Sequence, residues 1–377
     1  MKENSKVLAL KYRPQHFEDL IGQQIVSETI QNSIKISKPA NAYLFNGIRG
    51  VGKTTFARII AKALNCKNAP EALCKENLCE NCIAIINSSH IDVLEIDAAS
   101  KTGVDDVRDL IEFSRYPPTL SNYKIFIIDE VHMLSKQAFN ALLKTLEEPP
   151  GYLKFIFATT EIKKIPVTVL SRCQRFNLSR VKTDELFSFL KKISELEKID
   201  VTEDALKLIV KISEGSVRDA LSLLDRGSYV NFEKKKLDLK KAQEIFGYFD
   251  KSQIIEILKE LLKGNEEKII KKNKDLYLSG IDPTVFLSDF LEILYYLKNI
   301  TYLKLNSTNY SLNDQELSEL SKISKNVNNS SIFLMWDFTL KALNDINFVS
   351  NKNLYIEMFF IRLMYVKNNI KFKFPVE

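Results

Sequence analysis

A lysine and two hydroxyl side chains follow a glycine-rich loop near the amino terminus, and their spacing fits phosphate chemistry. The loop has the pattern G-x-x-x-x-G-K-[ST], in which Gly47, Gly52, Lys53 and Thr54 occupy the fixed positions. Glycines allow a tight turn whose backbone N–H groups point at one phosphate chain; the lysine reaches the β- and γ-phosphates, and the threonine hydroxyl holds Mg²⁺. The residues expected to contact the nucleotide in this loop are Gly47, Ile48, Arg49, Gly50, Val51, Gly52, Lys53, Thr54 and Thr55.

Two adjacent carboxylates, Asp129 and Glu130, follow a continuous apolar run at 125–128. Such a run is typical of a central parallel strand, and the carboxyl ends of these strands are where α/β sheets bind ligands. We expect Asp129 to hold Mg²⁺ together with Thr54, and Glu130 to polarise the water that attacks ATP. This base favours hydrolysis over transfer to a second substrate. His132 is expected to be structural, because Glu130 already fills the role of base.

Several other polar side chains have both a functional and an ordinary interpretation. A hydroxyl at 159–160, after another apolar run, is placed to sense the γ-phosphate or orient water. Arg172 is either an arginine finger that acts on a neighbouring subunit or an exposed structural arginine. Arg218, in the first turn of a helix, either reaches a bound phosphate or is solvated. Lys101 and Arg108 are seven residues apart and suit either nucleic-acid phosphates or a solvated helix face.

Four cysteines form a cluster between the phosphate loop and the next strand. Cys66, Cys74, Cys79 and Cys82 have the spacing C-x7-C-x4-C-x2-C, which ends in a C-x-x-C knuckle. Four thiolates make a closed tetrahedral site for structural Zn²⁺. The segment has few large apolar residues, so metal binding would supply the stability that burial cannot. A redox C-x-x-C pair and incidental thiols are the alternatives.

The elements that must position these residues alternate between strands and helices. Apolar runs predict strands near 42–45, 91–97, 123–130 and 153–158, with amphipathic helices between them. This pattern indicates an α/β P-loop domain with a parallel sheet at 1–181, into which the cysteine module is inserted at about 65–85. Only helices are predicted beyond it. We divide them into a small helical domain at 182–245 and a second all-α domain at 246–377.

Composition sets broad limits on the class of protein. The chain has 377 residues, a formal net charge of +6, a pI near 8.8 and 45% apolar residues. This mild basic excess is compatible with nucleic acid but does not prove it. The sequence has neither a membrane-length apolar run nor an apolar secretory start, so we expect a cytoplasmic protein that does not act in a membrane.

Taken together, the motifs resemble the gamma/tau family of bacterial DNA polymerase III, the AAA+ ATPase of the sliding-clamp loader. The matching segments are Tyr12–Pro14, Gly47–Thr55, the four cysteines, Glu95–Ser100, Asp129–Leu134, Leu146–Pro150, Ala158–Thr160, Ser171–Cys173 and Gly215–Ala220. The resemblance is highly specific over 1–230 and weaker over the helical remainder. There, Leu354–Met358 resembles the last helix of the family's collar.

The resemblance implies an AAA+ module with a helical lid, followed by a collar that holds several subunits in a ring. It implies that Thr160 is sensor 1, that Arg218 is sensor 2 and that Arg172 is the finger acting in trans. It further implies that Tyr12 and Arg13 lie near the base and ribose of ATP, while Lys101 and Arg108 face DNA. The implied partners are delta-type and delta-prime-type subunits, further copies of this chain, a sliding clamp and primer–template DNA.

The sequence departs from the family pattern at two places. The usual cysteine spacing is C-x8-C-x2-C-x2-C, so Cys74 is shifted, and Gly103 stands where relatives often have a basic residue. The chain stops after the collar, which leads us to expect a gamma-like or truncated form. Three alternatives remain open from sequence: a non-hydrolysing scaffold subunit of the same loader, another AAA+ DNA motor such as a branch-migration enzyme, and a small-molecule P-loop kinase.

Overall fold

The computed structural model describes residues 7–69, 74, 77–100, 103–229, 236–247, 251–278, 281–300 and 314–368. The chain forms two compact units, Met1–Leu237 and Asp238–Glu377. The first contains the phosphate loop, the cysteine cluster and the first helical segments, and the second is helical. The division into three domains made from sequence remains a prediction.

A parallel five-stranded sheet forms the centre of the first unit, as the alternating pattern predicts. Its strands are β1 (Ala42–Asn46), β2 (Val93–Asp97), β3 (Lys124–Asp129), β4 (Leu153–Thr159) and β5 (Gln174–Asn177). The spatial order is β2-β3-β4-β1-β5. The predictions missed β5, which is short and largely exposed and, within the described residues, pairs with β1 alone. Its single apolar residue, Phe176, stacks on Phe45 with ring centroids 5.7 Å apart.

Helices cover both faces of this sheet and continue beyond it over residues 183–228, the segment that we call the lid. They are α1 (Leu8–Lys11), α2 (Gln24–Lys35), α3 (Lys53–Asn65), α4 (Glu80–Ile86), α5 (Val104–Ser114), α6 (Lys136–Glu147), α7 (Val167–Leu170), α8 (Thr183–Leu196), α9 (Glu203–Ser213) and α10 (Val217–Ser228). Helices lie between the strands, as predicted, and Ser135, Thr202 and Ser216 each accept a backbone hydrogen bond as N-caps. Single-turn 3₁₀ helices occur at Phe17–Asp19, Val131–Met133 and Ile162–Lys164.

The register of the sheet brings the polar strand ends to one edge. Asn46, at the end of β1, lies opposite Thr159 in β4, and Asp97, at the end of β2, lies opposite Asp129 in β3. Because parallel strands share a direction, their carboxyl ends and the helix that follows β1 meet here. We call this the carboxyl edge, and it carries the phosphate loop.

The opposite, amino edge of the sheet also contains buried charges, but they bond to the backbone. Asp92, 1% exposed, accepts hydrogen bonds from the amides of Thr119, Leu120 and Ser121 at 2.7–3.1 Å. Lys124, 2% exposed, donates to two backbone carbonyls of the α5 end at 2.8 and 2.9 Å, and its ammonium lies 3.7 Å from a phenylalanine ring centroid. These bonds fix the turn that leads into β3.

The second unit is built from helices with apolar faces. They are α11 (Leu239–Phe246), α12 (Lys251–Lys263), α13 (Glu266–Leu278), α14 (Pro283–Lys298), α15 (Asp314–Ser324), α16 (Asn329–Asp345) and α17 (Lys352–Asn368), with a 3₁₀ turn at Ile346–Phe348. Their core includes Leu258, Phe290, Leu294 and Phe360. In the part of the chain that the structure describes, no helix combines the length and apolar character needed to cross a bilayer.

Candidate functional site

The phosphate loop joins the end of β1 to the first turn of α3, in the arrangement that the sequence predicts. Gly50 and Gly52 have φ angles of +80° and +102°, a region that a residue with a Cβ enters only under strain. The Lys53 ammonium donates to the carbonyls of Gly47 and Ile48, at 2.9 and 3.1 Å. Burial lowers the pKa of Lys53, and the nearby carboxylates oppose that shift. The lysine is thus held at the centre of the loop.

The hydroxyl and the carboxylate that we expect to hold Mg²⁺ are in direct contact. Thr54 Oγ1 donates to Asp129 Oδ2 at 2.5 Å, although 75 residues separate the two. Oxygen ligands of this kind suit Mg²⁺, which is usually bound through one or two carboxylates with water completing its shell. The donor set therefore fits the ion.

Glu130 has a left-handed backbone conformation, with φ 45° and ψ 44°. A residue other than glycine is held there at a cost of about 1–3 kcal/mol, and such strain is concentrated at functional sites. Its carboxylate accepts a hydrogen bond from Thr160 Oγ1 at 3.2 Å. The pair joins the ends of β3 and β4, next to the Thr54–Asp129 contact. The structure thus brings the predicted base and the predicted sensor together.

His132 has a structural environment, as predicted. Its side chain is 6% exposed, and Nδ1 lies 3.1 Å from Thr159 Oγ1 and 3.5 Å from Glu130 Oε2. Nε2 lies 3.4 Å from a carboxylate oxygen of Glu161. The imidazole thus packs behind Glu130 and supports it.

The segment with Tyr12 and Arg13 bridges the lid and the phosphate-loop helix. The Tyr12 hydroxyl donates to Glu197 at the end of α8, and burial together with this carboxylate raises the pKa of Tyr12 to about 12. Arg13 Nε donates to Thr55 Oγ1 at 3.1 Å. Burial lowers the pKa of Arg13, with a further contribution from the nearby Arg58. Arg13 therefore lies beside the loop, whereas Tyr12 contacts the end of α8.

The start of α10 contacts the phosphate loop through its backbone. The Arg218 amide donates to the Gly50 carbonyl at 3.3 Å. A Cβ added at Gly50 would lie 2.0 Å from Ser216 Oγ. We call this contact the clasp. The exposed Arg218 side chain is close enough to Arg13 for their charges to interact.

Arg172 and Arg108 are on the surface. Arg172 donates to Glu147 Oε1 and the Thr168 carbonyl, both at 2.5 Å, and to Ser171 Oγ at 3.1 Å. Arg108 pairs with Asp105 at 3.0 Å. Because α5 begins only at Val104, the early helix start that would align Lys101 with Arg108 is not observed. Lys101 itself lies outside the described residues.

The four predicted zinc ligands converge despite the shifted spacing. The sulfur atoms of Cys66, Cys74, Cys79 and Cys82 all lie within 4.8 Å of one another, and only Cys79 is not fully buried. Tetrahedral Zn–S bonds of about 2.3 Å require sulfurs roughly this close. Burial raises the pKa of Cys74, whereas hydrogen bonds from the backbone of Lys67 and Cys82 outweigh burial and lower the pKa of Cys79 to about 7. The cluster therefore fits zinc.

Sequence reasoning missed two charged contacts near the loop. Arg58 makes a bidentate pair with Glu95, with both distances 2.7 Å, and this pair joins α3 to β2. Alternation along the strand places Glu95 on the same face as Asp97, but it does not identify Arg58 as its partner. Glu197 lies 185 residues from Tyr12, and no local signal connects them.

Comparisons with known proteins cover nearly the whole chain. Family models match at 22–182 (DNA polymerase III, delta subunit), 186–227 (DNA polymerase III clamp loader subunit, ATPase lid domain) and 237–373 (DNA polymerase III subunits gamma and tau domain III). DNA polymerase III subunit gamma of Buchnera aphidicola subsp. Baizongia pistaciae is 38% identical, over 96% of this chain and 97% of its own. Subunit tau of Bacillus subtilis is also 38% identical, over 93% of this chain but 62% of its own length.

Solved structures resemble the chain more distantly. The Thermotoga maritima RuvB Holliday junction branch migration motor aligns over 67% of this chain and 79% of its own, with 19% identity and a TM-score of 0.47.

Proposed function

Because the chain belongs to the gamma/tau family of DNA polymerase III clamp-loader subunits, we propose that it is an ATPase motor of a clamp loader. In this proposal, ATP binding and hydrolysis drive the opening of a sliding clamp and its loading onto primed DNA. The observation that carries the proposal is the contact of Thr54 with Asp129 beside the strained, hydrogen-bonded Glu130. A replication role would place the chain in the cytoplasm.

ATP would bind across the loop, the start of α3 and the segment at 12–13. Backbone amides of the loop and the positive end of the α3 dipole would surround the phosphates, with Lys53 between the β- and γ-phosphates. Mg²⁺ held by Thr54 and Asp129 would neutralise phosphate charge during transfer. Tyr12 and Arg13 would lie near the base and ribose.

Hydrolysis would use groups from two copies of the chain. Glu130 would accept a proton from water as it attacks the γ-phosphate, with Thr160 holding the carboxylate in place. Arg218 would contact the phosphates within one chain. Arg172 would act on the ATP of a neighbouring subunit, exchanging its ion pair with Glu147 for phosphate charge. Such arginines contribute about 10³–10⁵ in rate in other phosphoryl-transfer enzymes.

The remaining features would serve assembly and DNA binding. The cysteine cluster would bind structural Zn²⁺, which holds together a segment without a core of its own. The helical part from 246 onward would act as a collar that joins copies of this chain with delta-type and delta-prime-type subunits. Lys101 and Arg108 would contact phosphates of the primer–template DNA.

The test compares ATPase rates of the chain mixed with delta-type subunits, with and without a clamp and primer–template DNA. Arg172→Ala is compared with Arg175→Ala, because both arginines are exposed and only three residues apart. We expect strong stimulation in the wild type and in Arg175→Ala, and a loss of about 10³-fold in Arg172→Ala. Equal rates in the two variants would contradict a finger at Arg172.

Other outcomes separate the alternatives. If the purified chain binds no ATP, it is a scaffold subunit, although Lys53 and Glu130 argue against this. If branched DNA stimulates hydrolysis and the clamp has no effect, the chain is another AAA+ DNA motor. An ATPase rate that neither DNA nor the clamp changes would contradict the clamp-loading role but not the ATPase activity.

A further inference from the structure

A buried lysine stands next to the four-cysteine cluster. Lys62 is in α3, one helical turn before Cys66, and is 3% exposed. Lysine is almost never this buried unless its charge is balanced. Lys67, one residue beyond Cys66, is exposed and pairs with Glu80 at 2.6 Å. The chain thus offers two lysines near one ligand, of which only the first is inside the protein.

The surroundings of Lys62 provide sulfur rather than carboxylate. Its ammonium lies 3.5 Å from His16 Nδ1, and in the described residues no carboxylate comes within ion-pair distance of it. Burial lowers the pKa of Lys62, and the sulfurs of Cys82 and Cys66 are the strongest opposing influence, ahead of Asp19 and Cys74. The lysine therefore sits within the electrostatic reach of three of the four cysteines.

A four-thiolate zinc centre carries a double negative charge, because four thiolates exceed the charge of one Zn²⁺ by two. Burying such an anion is unfavourable unless a positive charge or hydrogen-bond donors lie close by. Groups outside the ligand set commonly supply that balance and are worth about 10–100-fold in metal affinity. Backbone amides donate to Cys79, and the Asn68 side chain donates to Cys74 at 3.3 Å. Lys62 adds a buried cationic side chain one helical turn from Cys66.

We propose that Lys62 is the counter-cation of the zinc centre, a positioning residue whose positive charge raises zinc affinity and slows zinc loss. This inference rests on the zinc site of the proposed function. It gives α3 two functions, since the helix begins with the phosphate-binding Lys53 and ends with the lysine that balances the metal centre.

The test measures zinc affinity of the full-length chain by competition with a chromogenic chelator, and zinc loss by its release rate. Lys62→Met keeps the length of the side chain without its charge, Lys62→Arg keeps the charge, and Lys67→Met is the matched control. We expect Lys62→Met to weaken zinc binding about 10–100-fold, and the other two variants to stay within about threefold of the wild type. Circular dichroism with excess zinc checks that each variant folds.

A second arm separates charge from packing. Cys79→His replaces the most exposed ligand and reduces the negative charge of the centre by one. If Lys62 acts through its charge, Lys62→Met will cost clearly less in this background, about half the loss on a logarithmic scale. An equal loss in both backgrounds would mean a packing role and would overturn the proposal.

The remaining outcomes are also decisive. A Lys62→Met chain that binds zinc as tightly as Lys67→Met overturns the inference and leaves the zinc site standing. A wild-type chain purified without zinc and unable to bind it refutes the zinc site itself. If Lys62→Met does not fold with excess zinc, Lys62→Arg decides, since a folded arginine variant that loses zinc contradicts the role of charge.

Discussion

The two edges of the central sheet contain similar residues in different circumstances. Lys53 at the carboxyl edge and Lys124 at the amino edge are both buried, and each donates to two backbone carbonyls at about 3 Å. Burial lowers the pKa of both lysines. Two carboxylates, Glu130 and Asp129, oppose this at Lys53, which lies in a loop with positive-φ glycines, whereas only Asp92 does so at Lys124, which lies beside a turn held by backbone hydrogen bonds. Burial and bonding therefore do not distinguish the lysine that we propose to bind phosphate from a structural lysine. The neighbouring groups do.

The carboxylates differ in the same way. Asp92 accepts hydrogen bonds from three consecutive backbone amides, and all three bonds hold one turn. Asp129 and Glu130 accept hydrogen bonds from the hydroxyls of Thr54 and Thr160, and these bonds can be exchanged for water or a metal ion. Only one oxygen of Asp129, Oδ1, accepts from a backbone amide, that of Glu130 at 2.9 Å. We infer that the amino edge is built for stability and the carboxyl edge for chemistry, and substitutions at each edge can break or sharpen this contrast.

The largest expected effect is at Glu130. Glu130→Gln keeps the shape and the contact with Thr160 but cannot accept a proton, so hydrolysis should fall about 10²–10⁴-fold. ATP binding and the melting temperature should change little. The measurement is steady-state ATPase beside nucleotide binding and thermal unfolding. A variant that retains more than a tenth of the activity would contradict the role of Glu130 as base.

The paired lysines give the most direct comparison. Lys53→Met should abolish measurable ATP binding while keeping the stability of the chain within about 1 kcal/mol, because only loop carbonyls lose a donor. Lys124→Met should remove two hydrogen bonds and also an ammonium that lies 3.7 Å from a phenylalanine ring centroid, and it should lower the free energy of unfolding by about 1–3 kcal/mol, with ATP affinity unchanged. Urea unfolding and nucleotide titration of both variants check this. The contrast fails if both variants lose the same property.

Gly50→Ala tests the clasp between the loop and the lid. The new Cβ would lie 2.0 Å from Ser216 Oγ in a left-handed backbone conformation, so we expect a loss of about 1–2 kcal/mol in stability and weaker ATP binding. Gly151→Ala is the matched control, because no atom lies within 4 Å of the added Cβ. Thermal unfolding and ATP affinity of the two variants should differ clearly.

The smallest expected effect is a pH dependence at the amino edge. Burial lowers the pKa of His90 below its ordinary value of 6.5, so the unfolded chain binds the proton more readily than the folded one. The contribution of neutral His90 to the free energy of unfolding is therefore fully present above about pH 6.5. It declines as the pH falls below that value, by at most about 1.4 kcal/mol per pH unit. His90→Gln should flatten this part of the profile of unfolding free energy against pH. An unchanged slope would rule out His90 as its source.

Much of the fold and the central site could be predicted, because their signals are local. The phosphate loop and the apolar run before Asp129 each occupy a few consecutive positions. β5 was missed because a short edge strand with one apolar side chain depends on its partner for existence. The bond between Tyr12 and Glu197 depends on how the lid packs, which no spacing in the sequence encodes.

The cysteine cluster shows what the spacing of residues in the sequence can predict and what it cannot. The first two intervals between its cysteines differ from the family pattern, and the four sulfurs still lie within 4.8 Å of one another. The burial of Lys62 could not be predicted, since a lysine on an amphipathic helix is usually solvated and only the fold buries it.

Because of the clasp, a measurement on one amide of the lid can report whether the lid is in contact with the phosphate loop. The hydrogen that the Arg218 amide shares with the Gly50 carbonyl can exchange with solvent only when loop and lid part. Its exchange rate in deuterated water would therefore read the opening of this one contact as a free energy, with and without ATP. A single amide would then show how much of the binding energy of ATP is used to hold the lid closed.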